Sequence, residues 1–160
     1  MLGSPTFVDT ALLDGLSREA AASPRLRMNR NFHTSMDYPC HRLIIAMEPG
    51  SYIPPHSHQD PGKDETILVL RGRIGALLFD SEGQVTEARI LDAAQGCLGL
   101  TIPHGTLHSF VALESGSVLF ESKAGPYATP EGSERPPWAP LEQAPEAPAY
   151  LEKLRAHFIP

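Results

Sequence analysis

The sequence predicts an all-β domain, an antiparallel sandwich or barrel, with one helix ahead of it and a proline-rich tail behind it. Three observations carry that prediction. From Arg25 to Lys123, short apolar runs alternate with turn clusters such as Glu48-Pro49-Gly50, Ser81-Glu82-Gly83 and Glu114-Ser115-Gly116. The chain holds 13 Gly and 16 Pro in 160 residues, a composition that favours many turns over long helices. Finally, His56, His58 and Glu65 sit in one segment and His108 in another, as if a divalent metal site were split over two strand pairs of a small barrel.

The elements follow in order. Thr6 to Ala22 reads as an amphipathic helix, with Val8, Leu12, Leu13 and Leu16 near helical spacing and Asp9 in the first turn. Ser23-Pro24 stops it, because the residue before a proline avoids the helical region. Eight strands are expected: Arg27–His33, His41–Met47, Thr66–Arg71, Arg73–Phe79, Thr86–Leu91, Cys97–Ile102, Leu107–Ala112 and Val118–Ser122. Gly125 to Pro148 is rich in Pro, Glu and Ala and is expected to wrap the surface without regular structure. Tyr150 to Phe158 is expected to form a short terminal helix with Leu151, Leu154 and Phe158 on one face. The expected organisation is therefore a helical segment 1–24, a barrel 25–127 and a wrapping tail 128–160, with no internal repeat.

Composition excludes several classes. A formal charge of -6 argues against nucleic acid, which requires clustered Lys and Arg. No apolar run is long enough to span a membrane, and no basic start followed by an apolar stretch marks a leader, so a cytoplasmic location is expected. Cys40 and Cys97 are then expected to be reduced, as two small buried hydrophobes.

The candidate metal ligands are His56, His58, Glu65 and His108. Residues two apart on a strand share a face, so His56 and His58 can reach one ion. Pro54-Pro55 stiffens the entry to that strand. Glu65 opens the apolar run Thr66–Leu70, where an inward carboxylate is costly unless a cation pairs it. Imidazole and carboxylate donors suit Zn, Fe, Mn, Ni or Cu, with metal–nitrogen distances of about 2.0–2.2 Å. Taken singly, each group has an ordinary explanation: a lone histidine is usually surface or hydrogen-bonded, as expected for His41, His104 and His157, and Glu65 alone would be a solvated strand end. The four in this order point to a metal.

The pattern Gly50-x5-His56-x-His58, then Glu65-x6-Gly72, resembles the first cupin motif, and Pro103-x-Gly105-x2-His108 resembles the second. Six residues separate His58 from Glu65, where the usual cupin gap is three or four, so Asp60 and Asp64 stand as alternates to Glu65. The second motif usually ends in an Asn where this chain has Ala112. More of the chain is similar to a narrower group, the WbuC family of cupin-fold metalloproteins. The matching features are Arg27-x-Asn29-x-Asn31-x-His33, Pro49-Gly50-Ser51-Tyr52, Leu70-Arg71-Gly72-Arg73, Leu78-Phe79-Asp80, Glu121-x-Lys123-x-Gly125-Pro126-Tyr127 and Trp138-Ala139-Pro140. That resemblance implies a cupin double-stranded β-helix, a jelly-roll barrel, of the kind often associated with surface-polysaccharide gene clusters and without an established reaction.

Arg27, Asn29, Asn31 and His33 alternate, so as a strand they share one face. Such a stripe is either solvated or lines the barrel mouth, where four hydrogen-bonding groups suit a polyhydroxylated or carboxylated ligand; His33 would also stand close enough to act behind the metal ligands. Arg42, Tyr52, Lys123 and Tyr127 complete the candidate ligand-binding set, each with a plain packing or ion-pair alternative. Two functions compete. One is a metalloenzyme acting on a small polar molecule such as a sugar or sugar nucleotide, as an isomerase, epimerase or oxygenase. The other is a non-catalytic, metal-dependent binder of a sugar or organic acid; a metal that only braces the barrel comes third. A homodimer is expected, since cupin barrels commonly pair through edge strands.

Overall fold

The computed structural model describes residues 5–128 and 132–159; the parts of the expected helical segment and tail that fall at 1–4, 129–131 and 160 lie outside the described residues. Two antiparallel sheets face each other. One has five strands in the order β1 (Arg27–Asn31), β2 (Cys40–Met47), β8 (Ser117–Ala124), β3 (Glu65–Arg71), β6 (Gly99–Ile102). The other has three, β5 (Val85–Asp92), β4 (Arg73–Phe79) and β7 (Leu107–Ala112). The chain passes between the sheets at Gly72, whose φ of +70° and contact with Ser117 leave no room for a side chain. The expected jelly roll is thus the fold.

Each sheet has an inner and an outer face, and the residue alternation decides what covers them. Inner-facing Leu43, Ile45, Met47, Ile67, Val69 and Leu119 meet Ile74, Ala76, Leu91 and Phe110 of the opposite sheet. Fully burying one such aliphatic side chain contributes about 1.5–3 kcal/mol, so this layer anchors the domain. Outer-facing Ile44, Ala46 and Val118 pack under helix α1 (Thr10–Ala22) through Leu13, Leu16 and Ala20. The outer face of the small sheet, with Leu77, Phe79 and Val111, is covered by helix α2 (Ala147–Arg155) through Ala147, Leu151 and Leu154.

Several boundaries differ from expectation for identifiable reasons. Helix α1 begins at Thr10 rather than Thr6, because the Asp9 carboxylate accepts the Leu12 N–H at 2.9 Å and caps the helix instead of entering it. Strand β1 stops at Asn31, and β6 begins at Gly99 rather than Cys97. His56 and His58 do not lie on a named strand: the segment is irregular, with one isolated bridge between His56 and His108. The terminal helix starts earlier, at Ala147, and ends in a 3-10 turn at Ala156–Phe158. The tail before it holds one further 3-10 turn, Gly132–Glu134. Cys40 is exposed, not buried, because it opens β2 on the face opposite His41; Cys97 is half-buried against the inner layer, and both thiols are free. No helix among the described residues is long and apolar enough to cross a membrane.

Candidate functional site

The site is built first from backbone. His56 and His108 exchange two hydrogen bonds, His56 N–H to His108 C=O at 3.1 Å and His108 N–H to His56 C=O at 2.9 Å. Directly paired residues project side chains to the same face, which brings these two rings to 4.5 Å between centroids. Each ring is then oriented by a carbonyl: His56 Nδ1 lies 3.0 Å from Pro54 O, and His108 Nδ1 lies 2.8 Å from Thr106 O. A carbonyl only accepts, so Nδ1 carries the proton in both and Nε2 keeps its lone pair. Burial, and then the neighbouring His108, push the His56 imidazole down to about 3, so it stays neutral with its Nε2 lone pair free.

Sheet register supplies the other side. His41 on β2 pairs with Lys123 on β8, which pairs with Glu65 on β3, giving one inward-facing row across three strands. The Lys123 ammonium donates to Glu65 Oε1 at 2.7 Å and contacts Glu121 Oε1 at 2.8 Å. His58 Nε2 stands 2.9 Å from the same Glu65 oxygen and 3.4 Å from Lys123 Nζ. One ring nitrogen cannot donate to the carboxylate and accept from the ammonium together; the shorter distance puts the proton on His58 Nε2. Glu65 is buried, at 3% exposure. Burial pushes its carboxyl up, but His108, His58 and the Lys123 charge outweigh that and hold it well below the usual carboxylate range. The Lys123 ammonium is pushed down by burial, yet Glu121 and Glu65 more than restore it and raise it above its ordinary value.

These residues fit a divalent cation by the chemistry of their donors. His108 Nε2 is buried without a hydrogen-bond partner. It lies 3.2 Å from Glu65 Oε2: protonated there, it donates to the carboxylate and lowers it, whereas in the neutral Nδ1–H ring its lone pair faces that of the oxygen. A divalent cation between them reconciles two facing donors, as does a proton on Nε2; the cation also gives the free His56 lone pair a partner. His56 and His108 present free lone pairs, whereas His58 and Glu65 are bonded to each other. Accordingly, no group of three or more His, Cys, Asp or Glu among the described residues is already arranged to hold an ion. The alternates are not in the site: Asp60 accepts from Gly62 N–H, and Asp64 is bound to His104 at the surface, as expected for His104.

A cavity of about 410 Å³ opens beside these ligands. Of the predicted ligand-binding residues, Arg27, Asn29, Asn31, His33, Lys123 and Tyr127 line it. Asn29 and Asn31 are exposed on the edge strand, and Tyr127 stands at the rim, 48% exposed. Arg27 is already engaged, by Glu142 Oε1 at 2.8 Å and by Tyr52 O at 2.9 Å. Arg42 and Tyr52 do not line the cavity. Arg42 alternates with the inward His41 and Leu43, so its guanidinium faces out, over the Tyr38 ring at 5.6 Å. Tyr52 is buried in the outer layer and donates its hydroxyl to Pro140 O at 2.9 Å, anchoring the tail; burial raises its phenol above the ordinary value.

Three features escaped the sequence reading. Glu121 lies two residues from Lys123, and that spacing alone puts both on one face. His41, expected to be ordinary, is buried in the cavity wall, donating from Nε2 to Met36 O at 3.0 Å and stacking on His33 at 4.0 Å. Burial, and then His33, lower its imidazole below the usual histidine value. The tail forms part of the cavity through Arg135, Leu141, Glu142 and Gln143, which no local pattern announced. It is fastened by Ser57 N–H to Glu134 O at 3.0 Å, by Trp138 Nε1–H to Ser81 O at 3.0 Å, and by Glu142 to Arg25 and Arg27.

The sequence profile of a family described as Domain of unknown function (DUF6016) matches residues 8–91. No curated protein matches the sequence. Among solved structures, the chain is similar to KdgF from Halomonas sp., at 21% identity over 66% of this chain and 84% of that one, with a TM-score of 0.51. It is similar to the conserved protein of unknown function SPY1581 from Streptococcus pyogenes, at 14% identity over 79% and 93% of the two chains, TM-score 0.52. It is also similar to the capsular polysaccharide assembling protein CapF from Staphylococcus aureus, at 16% identity over 64% of this chain and 27% of that one, TM-score 0.50. At these identities the likeness is one of fold, and the fold is that of the cupins.

Proposed function

We propose that this chain, which belongs to the family described as Domain of unknown function (DUF6016), is a metal-dependent cupin enzyme acting on a small polar molecule of the sugar or sugar-acid class. The observation that carries the reading is the buried, partnerless His108 Nε2 beside His56 and Glu65, next to an open polar cavity. His56, His58, Glu65 and His108 would hold the ion, His58 giving up its Nε2 proton and its bond to Glu65 on binding. A divalent transition metal, when bound, supplies Lewis-acid polarisation of a carbonyl or a lowered pKa for water.

The chain's own residues do the rest. Pro54 and Thr106 carbonyls hold the His56 and His108 rings in the tautomer that binds. Lys123 bridges Glu65 and Glu121, offsets part of their charge and holds Glu65 in place beside the histidines. Asn29 and Asn31 offer amides to hydroxyl groups at the mouth, and the tail narrows the access of water. Resemblance to the WbuC motifs supports surface-polysaccharide metabolism as the setting, and a homodimer belongs to the same proposal.

Metal analysis of the natively loaded, untagged chain tests this reading, followed by turnover on a panel of sugars and sugar acids. About one transition-metal ion per chain is expected, falling to background in His56→Ala and His108→Ala. A wild-type chain that takes up no ion from Zn, Fe, Mn or Ni overturns it. Tight ligand binding without turnover under any of these metals would leave a binding protein rather than an enzyme.

A further inference from the structure

At the β2 end of the His41–Lys123–Glu65 row stands a group the metal reading does not use. His33 is buried, lines the cavity, and its Nε2 has no hydrogen-bond partner. Its tautomer follows from the backbone. The Arg42 carbonyl accepts the Phe32 N–H at 2.8 Å, so the Arg42 N–H, which points the same way from an antiparallel strand, needs its own acceptor. His33 Nδ1 lies 3.2 Å from both the Arg42 N–H and the Arg42 carbonyl oxygen. The carbonyl already accepts from Phe32 and the N–H has no other acceptor among the described residues, so the ring accepts from the N–H. Nδ1 is therefore unprotonated in the neutral ring, and the proton sits on Nε2. The ring cannot swing away, because it lies flat on His41 at 4.0 Å and 10°, and His41 is itself pinned by Met36 O. A buried N–H donor with no acceptor costs about 1–3 kcal/mol unless something outside the chain supplies one.

The charge of the wall indicates what supplies it. Four Lys and Arg side chains line the cavity against three Glu, so the wall is net positive in a chain whose formal charge is -6. The excess is one charge, with Arg25 and Arg27 paired to Glu142, Lys123 to Glu65 and Glu121, and Arg135 exposed. An uncharged sugar could accept from His33, but a carboxylate accepts more strongly and also gains from that excess.

We propose that the cavity takes a small carboxylate-bearing molecule and that the Nε2–H of His33 is the donor that selects its carboxylate. The inference rests on the same cavity as the reading above, and narrows its substrate to acids. His33 touches substrate in this account without taking part in bond making.

The test uses the full chain with zinc added, a diamagnetic ion that leaves imidazole resonances sharp. Long-range proton–nitrogen correlation spectra are expected to give His33 as the Nε2–H tautomer. Titration with D-glucuronate is expected to move that signal, while D-glucose, which carries a hydroxymethyl group where glucuronate has its carboxylate, leaves it in place. His33→Phe keeps the stack on His41 and should weaken glucuronate binding by about tenfold or more, with zinc content unchanged; His33→Gln, which restores an N–H, should recover part of the loss. A proton found on Nδ1, equal affinity for glucose and glucuronate, His33→Phe binding as wild type, or no response to either glucuronate or glycolate overturns the inference. The zinc measurement separates the two readings: acid preference without zinc sinks the metal and leaves the acid site, and zinc without acid preference does the reverse.

Discussion

Replacing Glu142 with Gln removes one negative charge from the clasp that ties the tail to the cavity wall. The Glu142 carboxylate meets Arg25 twice, at 2.8 and 2.9 Å, and Arg27 Nη1 at 2.8 Å. The two pairs differ in value. Arg25 has 59% of its side chain exposed, so its pair contributes at most about 1 kcal/mol. The Arg27 side chain is only 10% exposed and keeps just Ser51 Oγ and Tyr52 O once the carboxylate is gone. A charge-assisted bond to a mostly buried guanidinium contributes about 1.5–3 kcal/mol. Glu142→Gln retains one oxygen acceptor, so a loss of about 2 kcal/mol is expected. For a domain of this length that lowers Tm by about 4–8 °C. Urea unfolding measures the loss, and a double-mutant cycle with Arg27→Met assigns it: a coupling of about 1 kcal/mol or more is expected. A loss below about 0.5 kcal/mol, or a coupling near zero, would mean that the tail is held by its other contacts and that the electrostatic clasp is idle.

Two further outcomes follow, one from the same clasp and one from the Lys123 cluster. Burial pushes the Glu142 carboxyl up, but Arg25 and Arg27 outweigh it and hold it below the ordinary value in the folded chain. Its contribution is therefore present above the ordinary carboxylate pKa and is lost as pH falls through the depressed folded one; the stability gap between wild type and Glu142→Gln should be full at pH 7 and shrink below about pH 4. Lys123→Met leaves Glu65, 3% exposed, and Glu121, 13% exposed, without their shared cation, and should cost about 3 kcal/mol in urea unfolding. Added zinc should restore part of that loss in Lys123→Met; zinc without effect on this variant would remove Glu65 from the proposed ligand set.

Much of the architecture was legible because its signals are local. Strand alternation, turn residues and the Ser23-Pro24 stop are read one element at a time, and β4 and β7 fall where the periodicity put them. Convergence of the histidines was legible from their spacing, though the stated reason was not: His56 and His58 are not strand neighbours on one face, and His56 finds His108 through a single isolated bridge. What the sequence withheld was contact at long range. Tyr52 beside Pro54-Pro55 looked like a substrate group, yet its hydroxyl is taken by Pro140, 88 residues on. Glu142 reaches Arg25 across 117 residues, and no local pattern encodes that pairing. Cys40 and Arg42 failed through register: which face of β2 looks inward is decided by pairing with β8, not by the run of residues itself. Glu121 was readable, since it shares the Lys123 face, and went unweighted.

The central claim is that imidazoles distant in sequence, with one buried carboxylate, bind a single ion. X-ray absorption at the edge of the natively bound metal counts those donors directly. The account predicts a first shell containing three imidazoles and one carboxylate oxygen at about 2.0–2.2 Å, with the metal signal itself falling to background in His108→Ala. A shell of water oxygens alone, or a spectrum unchanged by that substitution, would contradict it.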